Sequence, residues 1–133
     1  MTLQKIIRAL VAGMVFPALF LPIAYSIVFV LSPQIFVQLR SLQFIPMYIP
    51  ILFGVANIVY VFFSHKKSPK KNNQLLLFIG FCLGLIVALL NIPTFIFGVV
   101  LDLQTTAIIV LPILYALTFR FIIKWINKNL GVR

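Results

Sequence analysis

The side chains available for acid–base, nucleophilic or metal chemistry are few and scattered. The chain has one carboxylate, Asp102, one imidazole, His65, and one thiol, Cys82. Acid–base and nucleophile–base catalysis both need two such groups within hydrogen-bond reach of one bond. His65 and Asp102 stand at opposite ends of long apolar runs. If those runs cross a membrane, about 30 Å of hydrocarbon separates the two groups. A zinc-type centre needs three or four His, Cys or carboxylate ligands, which this inventory cannot supply. A single cysteine excludes an intramolecular disulfide and any two-thiol redox motif. In the middle of an apolar run, Cys82 reads as a small filler. Gly-rich phosphate loops are also missing from the sequence. The expectation is no catalytic, cofactor-binding or metal-ligating residues, and no enzyme.

What remains is polar rather than ionisable. Asn57 and Asn91 are the strongly polar side chains deepest within apolar runs, with Tyr25, Tyr60 and Tyr115 as companions. Two readings apply: interhelical hydrogen bonding, which is favoured, or the lining of a path for an uncharged solute. Asn91 precedes Pro93 by two residues and can satisfy a backbone group freed at the proline. Gly80 and Gly84, continued by Ala88 one turn later, form a stripe of small residues that lets two helices approach closely. That approach is expected within the chain, with homo-oligomerisation open. Asp102 is expected to cap a helix or to pair with Arg40 on the outer surface, rather than to couple protons to transport. Lys66, Lys67, Lys70 and Lys71 fall within six residues and are candidates for contact with anionic lipid.

The elements that must position these residues follow from composition. Of 133 residues, 63% are hydrophobic and 9% charged, whereas a soluble domain carries about a quarter charged residues. One acid against eleven basic residues cannot make a water-facing surface of mixed charge. A net charge of +10 alone would suit nucleic acid, but a soluble binder would not be so rich in Leu, Ile, Val and Phe. Nucleic acid is therefore not an expected partner; the lipid bilayer is.

A crossing helix needs about 20 apolar residues, and four stretches qualify: 9–31, 44–64, 75–100 and 107–123. Arg120 interrupts the last, but it lies one turn from Lys124 and can snorkel to the headgroups. Lys5 and Arg8, the four lysines of 66–71, and Arg120, Lys124, Lys128 and Arg133 then share one side; of the basic residues only Arg40 is on the other. Cytoplasmic loops retain Lys and Arg, so both termini and the middle loop are expected inside. The first run exceeds a signal peptide's apolar region and is broken by Pro17 and Pro22, so it reads as a retained span.

Between the spans, Ser32-Pro33 is a helix-start signal. Ile35, Phe36, Leu39 and Leu42 follow at helical spacing, which predicts a short interfacial amphipathic helix in the first outer loop. The middle loop reads as a tight basic turn, with Asn72-Asn73 capping the third span. Trp125 among lysines suits a headgroup boundary. The expected fold is all-α: one integral membrane four-helix bundle over residues 1–133, N-in and C-in. Its composition suits a bacterial inner membrane. The expected role is a non-catalytic accessory, interaction or protective protein with a possible membrane-protein partner. The alternative is a small oligomeric channel or uncharged-solute transporter.

Overall fold

A computed structural model describes residues 2–31, 44–64, 68–95 and 101–132. Among these the chain is helical and contains no strand. Helix α1 spans Leu3–Leu31, α2 Phe44–Ser64, α3 Pro69–Phe95 and α4 Leu101–Thr118. A π turn, Phe119–Ile123, continues α4 into a last short helix, α5, Lys124–Asn129. Three helical segments are long and apolar enough to cross a membrane: Leu3–Leu31, Pro69–Leu89 and Ile108–Asn129. Helix α2 adds a shorter apolar stretch, Tyr48–Ser64.

Several element ends differ from the sequence reading. Asn72 and Asn73 do not cap α3: the helix begins at Pro69, and the Ser68 carbonyl accepts the Asn72 amide at 3.0 Å. Proline suits a first helical position because that N–H would have no intrahelical partner. The fourth helix starts earlier than expected: it begins at Leu101 and takes in Asp102 in its first turn. The fourth segment also does not stop near Ile123. It runs on to Asn129 and ends in a Schellman motif: Val132 donates to the Asn127 carbonyl at 2.9 Å, and Gly131 donates to Lys128. Gly131 takes φ 62°, the left-handed value that this stop requires and that glycine accepts without strain. The predicted amphipathic helix of the first outer loop lies outside the described residues.

Packing is dominated by two antiparallel pairs, α1 with α2 and α3 with α4. Glycine sets both. A Cβ on Gly13 would stand 2.5 Å from the Phe53 carbonyl oxygen and 2.8 Å from the Gly54 Cα. On the other pair, a Cβ on Gly80 would meet the Tyr115 oxygen at 2.5 Å, and one on Gly84 the Pro112 Cα at 2.5 Å. Ascending along α3 from 80 to 84 thus corresponds to descending along α4 from 115 to 112. Backbones this close leave no room for any side chain, so small residues here are a steric requirement. Ala88 is buried one turn further along α3.

The core includes Ala9, Phe53, Val61, Leu76, Phe119 and Ile123. The outer faces are apolar as well. Leu19, Phe62, Phe78 and Phe121 are each more than 60% exposed. Large apolar side chains displayed on this scale would associate in water, whereas hydrocarbon solvates them at no cost.

A bulkier residue at Gly84 must push α4 backbone aside, whereas the two nearest atoms to a Cβ on Gly54 belong to the Leu10 and Met14 side chains, with the Leu10 carbonyl next at 3.0 Å. Gly84→Val is therefore expected to destabilise the fold by about 1–3 kcal/mol or more, the range for overpacking. Gly54→Ala should cost less. Thermal unfolding in detergent, followed by circular dichroism, reads the order; equal effects would contradict the backbone contact.

Candidate functional site

The most constrained polar feature is a reciprocal amide pair. Asn57, on α2, and Asn127, on α5, are 0% and 2% exposed. Each side-chain nitrogen donates to the other's oxygen at 2.8 Å. Asn57 Nδ2 also donates to the Ala9 carbonyl of α1 at 2.8 Å. One amide therefore joins three helices. The Ala9 carbonyl fixes which way both amides face, because turning the pair over would set Asn57 Oδ1 against another acceptor. Three of the four hydrogen-bonding positions on Asn57 are satisfied in this way.

Aromatic side chains pack next to this pair. Phe53, one turn before Asn57, meets Tyr115 edge-on at 4.9 Å and Phe119 at 5.2 Å, geometries that aromatic pairs prefer. Tyr60 is buried in the core, while Tyr25 is half-buried and lines a separate hollow of about 410 Å3 with Ser26, Phe29 and Val30. Cys82 is half-buried with a free thiol. Among the described residues no group of three or more His, Cys, Asp or Glu gathers as metal ligands would.

A larger cavity, about 560 Å3, opens between the start of α3 and the run from Arg120 to Lys128. Its walls combine Asn72 and Asn73 from α3, Tyr60 from α2, and the cations Arg120, Lys124 and Lys128. Lys124 Nζ donates to Asn73 Oδ1 at 2.8 Å, linking α5 to α3 across it. The π turn lies here: the Lys124 amide reaches back five residues to the Phe119 carbonyl. Such turns are frequent at functional positions. Thr118 Oγ1 donates to the Leu114 carbonyl at 2.8 Å just before it, a back-bond that bends helices. Arg120 sits 5.3 Å from the Phe121 ring centre, within cation–π range.

The sequence-selected residues thus part company. Asn57 and Tyr60 are buried, Tyr115 packs on Phe53, and Gly80 and Gly84 abut α4. Lys70 and Lys71 are exposed on the first turn of α3 and do not line the cavity. Arg40, Lys66, Lys67 and His65 lie outside the described residues, as do the side chains of Asn91 and Asp102. The residue missed from sequence is Asn127, which lies beyond the fourth span as read, 107–123. Its signal was present: Ile122, Ile123, Ile126 and Leu130 continue the helical apolar pattern well past Arg120.

No family model matches the chain, and no curated protein or solved structure does either.

Truncating one amide strands the other in a low-dielectric interior, the more costly half of any hydrogen-bond deletion. Asn127→Leu is expected to lose about 0.6–2 kcal/mol, the span measured for such bonds in membranes. Asn57→Leu should lose more, since it also frees the Ala9 carbonyl. The double variant should lose less than the sum of the two singles. A double-mutant cycle on unfolding in detergent checks this, and strict additivity would contradict the pairing.

Proposed function

We propose that this chain is a four-span integral membrane protein that acts through helix–helix and helix–lipid contacts, as an accessory or protective component rather than a catalyst. The observation carrying this reading is that Asn57 spends its amide on Asn127 and Ala9 within the chain. A polar group lining a solute path would keep hydrogen-bonding capacity for the solute or for water. Here that capacity is used to hold three helices together. The apolar outer faces support lipid or other membrane helices as the surroundings.

Shown by length and composition are three segments able to cross a membrane. The proposal adds α2 as a fourth crossing, since it is antiparallel to α1 and packed along it. It places both termini and the 65–68 connection in the cytoplasm, because ten of the basic residues then share that side. A bacterial inner membrane is the proposed location.

Orientation is tested with Cys82→Ala as background. Ser68→Cys should resist an impermeant maleimide in intact cells and react after permeabilisation, while Thr105→Cys should react in both. Labelling of position 68 from outside would reverse the topology. The accessory role predicts recovery of a stoichiometric membrane partner in mild detergent, with no solute flux in proteoliposomes. Flux that Asn91→Leu abolishes would replace it with a small oligomeric channel or uncharged-solute transporter.

A further inference from the structure

The geometry points to a phosphate-binding site in the cavity between α3 and α5, suited to the headgroup of an anionic phospholipid. The inference rests on the membrane-spanning reading above, and deepens it by assigning a specific ligand position. Three cations, Arg120, Lys124 and Lys128, recur every fourth residue along the π turn and α5, and all three line this one cavity. Like charges gathered on one wall repel, and a bound anion relieves that repulsion. The chain has only one acidic side chain, Asp102, and it lies at the far end of α4. At 1.5 Å of rise per residue, the eighteen residues from 102 to 120 put it about 27 Å away. Asp102 is therefore too distant to neutralise these cations, and an anion bound from outside fits the cavity.

The rest of the wall fits a phosphate ester. Guanidinium and ammonium groups give charge-assisted hydrogen bonds to phosphate oxygens, with Arg presenting a planar fork and Lys a point charge. Asn73 already holds the Lys124 ammonium at 2.8 Å, which fixes one donor in place at the wall. Pro69, the first residue of α3, is also part of the lining; the positive end of that helix dipole adds to the field without carrying the site. Trp125 and Phe121 line the same cavity and are about two-thirds exposed. An amphipathic aromatic beside a cation is what the headgroup boundary favours. A volume of about 560 Å3 lies within the usual range for small-ligand sites.

This assignment differs from general attraction of a basic surface to anionic lipid. Lys70 and Lys71, on the first turn of α3, are exposed too but stand outside the cavity. A diffuse surface potential would weigh all these cations alike; a site would not.

The chain's only tryptophan, Trp125, reports on the cavity directly. The full chain is reconstituted in phosphatidylcholine vesicles, and brominated phosphatidylglycerol is titrated in, with brominated phosphatidylcholine as reference. Flotation with the vesicles and circular dichroism establish insertion and folding separately, so that a chain failing to insert sinks the membrane reading and not this one alone. Quenching by phosphatidylglycerol should saturate at low mole fraction and exceed that by phosphatidylcholine. Arg120→Gln with Lys124→Gln should lower the preference about fivefold for each cation removed, on the basis of roughly 1 kcal/mol per cation. Lys124→Arg should restore most of it. Lys70→Gln with Lys71→Gln removes the same charge and should leave it unchanged. Equal loss in the two double variants, or no preference in an inserted and folded chain, would overturn the site. Displacement of the lipid by millimolar inorganic phosphate would overturn the lipid source and reassign the cavity to a soluble phosphate ligand.

Discussion

The Asn57–Asn127 pair is the interaction on which the joining of α1, α2 and α5 depends. A primary amide buried among Phe, Ile and Leu must find partners, because nothing in hydrocarbon or in a packed core can replace the water it gave up. Two asparagines solve this mutually, and the spare N–H of Asn57 takes the Ala9 carbonyl. The consequence reaches beyond the three residues. Asn127 can face Asn57 only if the chain stays helical past Arg120 and turns its polar face inward at position 127. Phe119 and Asn127 are thereby held against α2, while the π turn between them also packs on α3 and α1.

That position of the last helix creates the cavity. With Asn127, Ile123 and Ile126 committed to the interior, the neighbouring positions Arg120, Lys124 and Lys128 have to face the first turns of α3. The buried Asn127 is part of the same wall, so the amide pair and the cationic face are two sides of one helix. Structural and electrostatic demands meet here. The interior needs a hydrogen-bonded amide, while the facing wall of the cavity gathers three cations.

The remaining helices are organised by steric permission. In lipid, apolar exteriors gain nothing by being hidden, and helix association relies on close packing. Gly13 against Phe53 and Gly54, and Gly80 and Gly84 against α4, let backbones approach to contact. Both pairs therefore form from sequence-adjacent, antiparallel helices. The two pairs are joined by direct packing of α2 on α3, the Phe53–Phe119–Tyr115 cluster and the amide link.

Composition and periodicity sufficed to read an all-helical chain with long apolar segments, because each such segment must satisfy its own backbone and does so locally. The stripe of Gly80, Gly84 and Ala88 and the deep position of Asn57 were also visible, since they depend only on spacing along one helix. Tertiary structure alone decided their partners: Asn127 for Asn57, α4 for the glycines, and the cations of 120–128 for the cavity, in place of the exposed Lys70 and Lys71. Such pairings join residues up to seventy positions apart, and no local pattern encodes distance across a bundle. The helix ends moved for a related reason. Asn72-Asn73 looked like a cap, but Pro69 starts that helix; the fourth span looked complete near Ile123, but the contact of Asn127 with Asn57 accompanies a helix that runs on to Asn129.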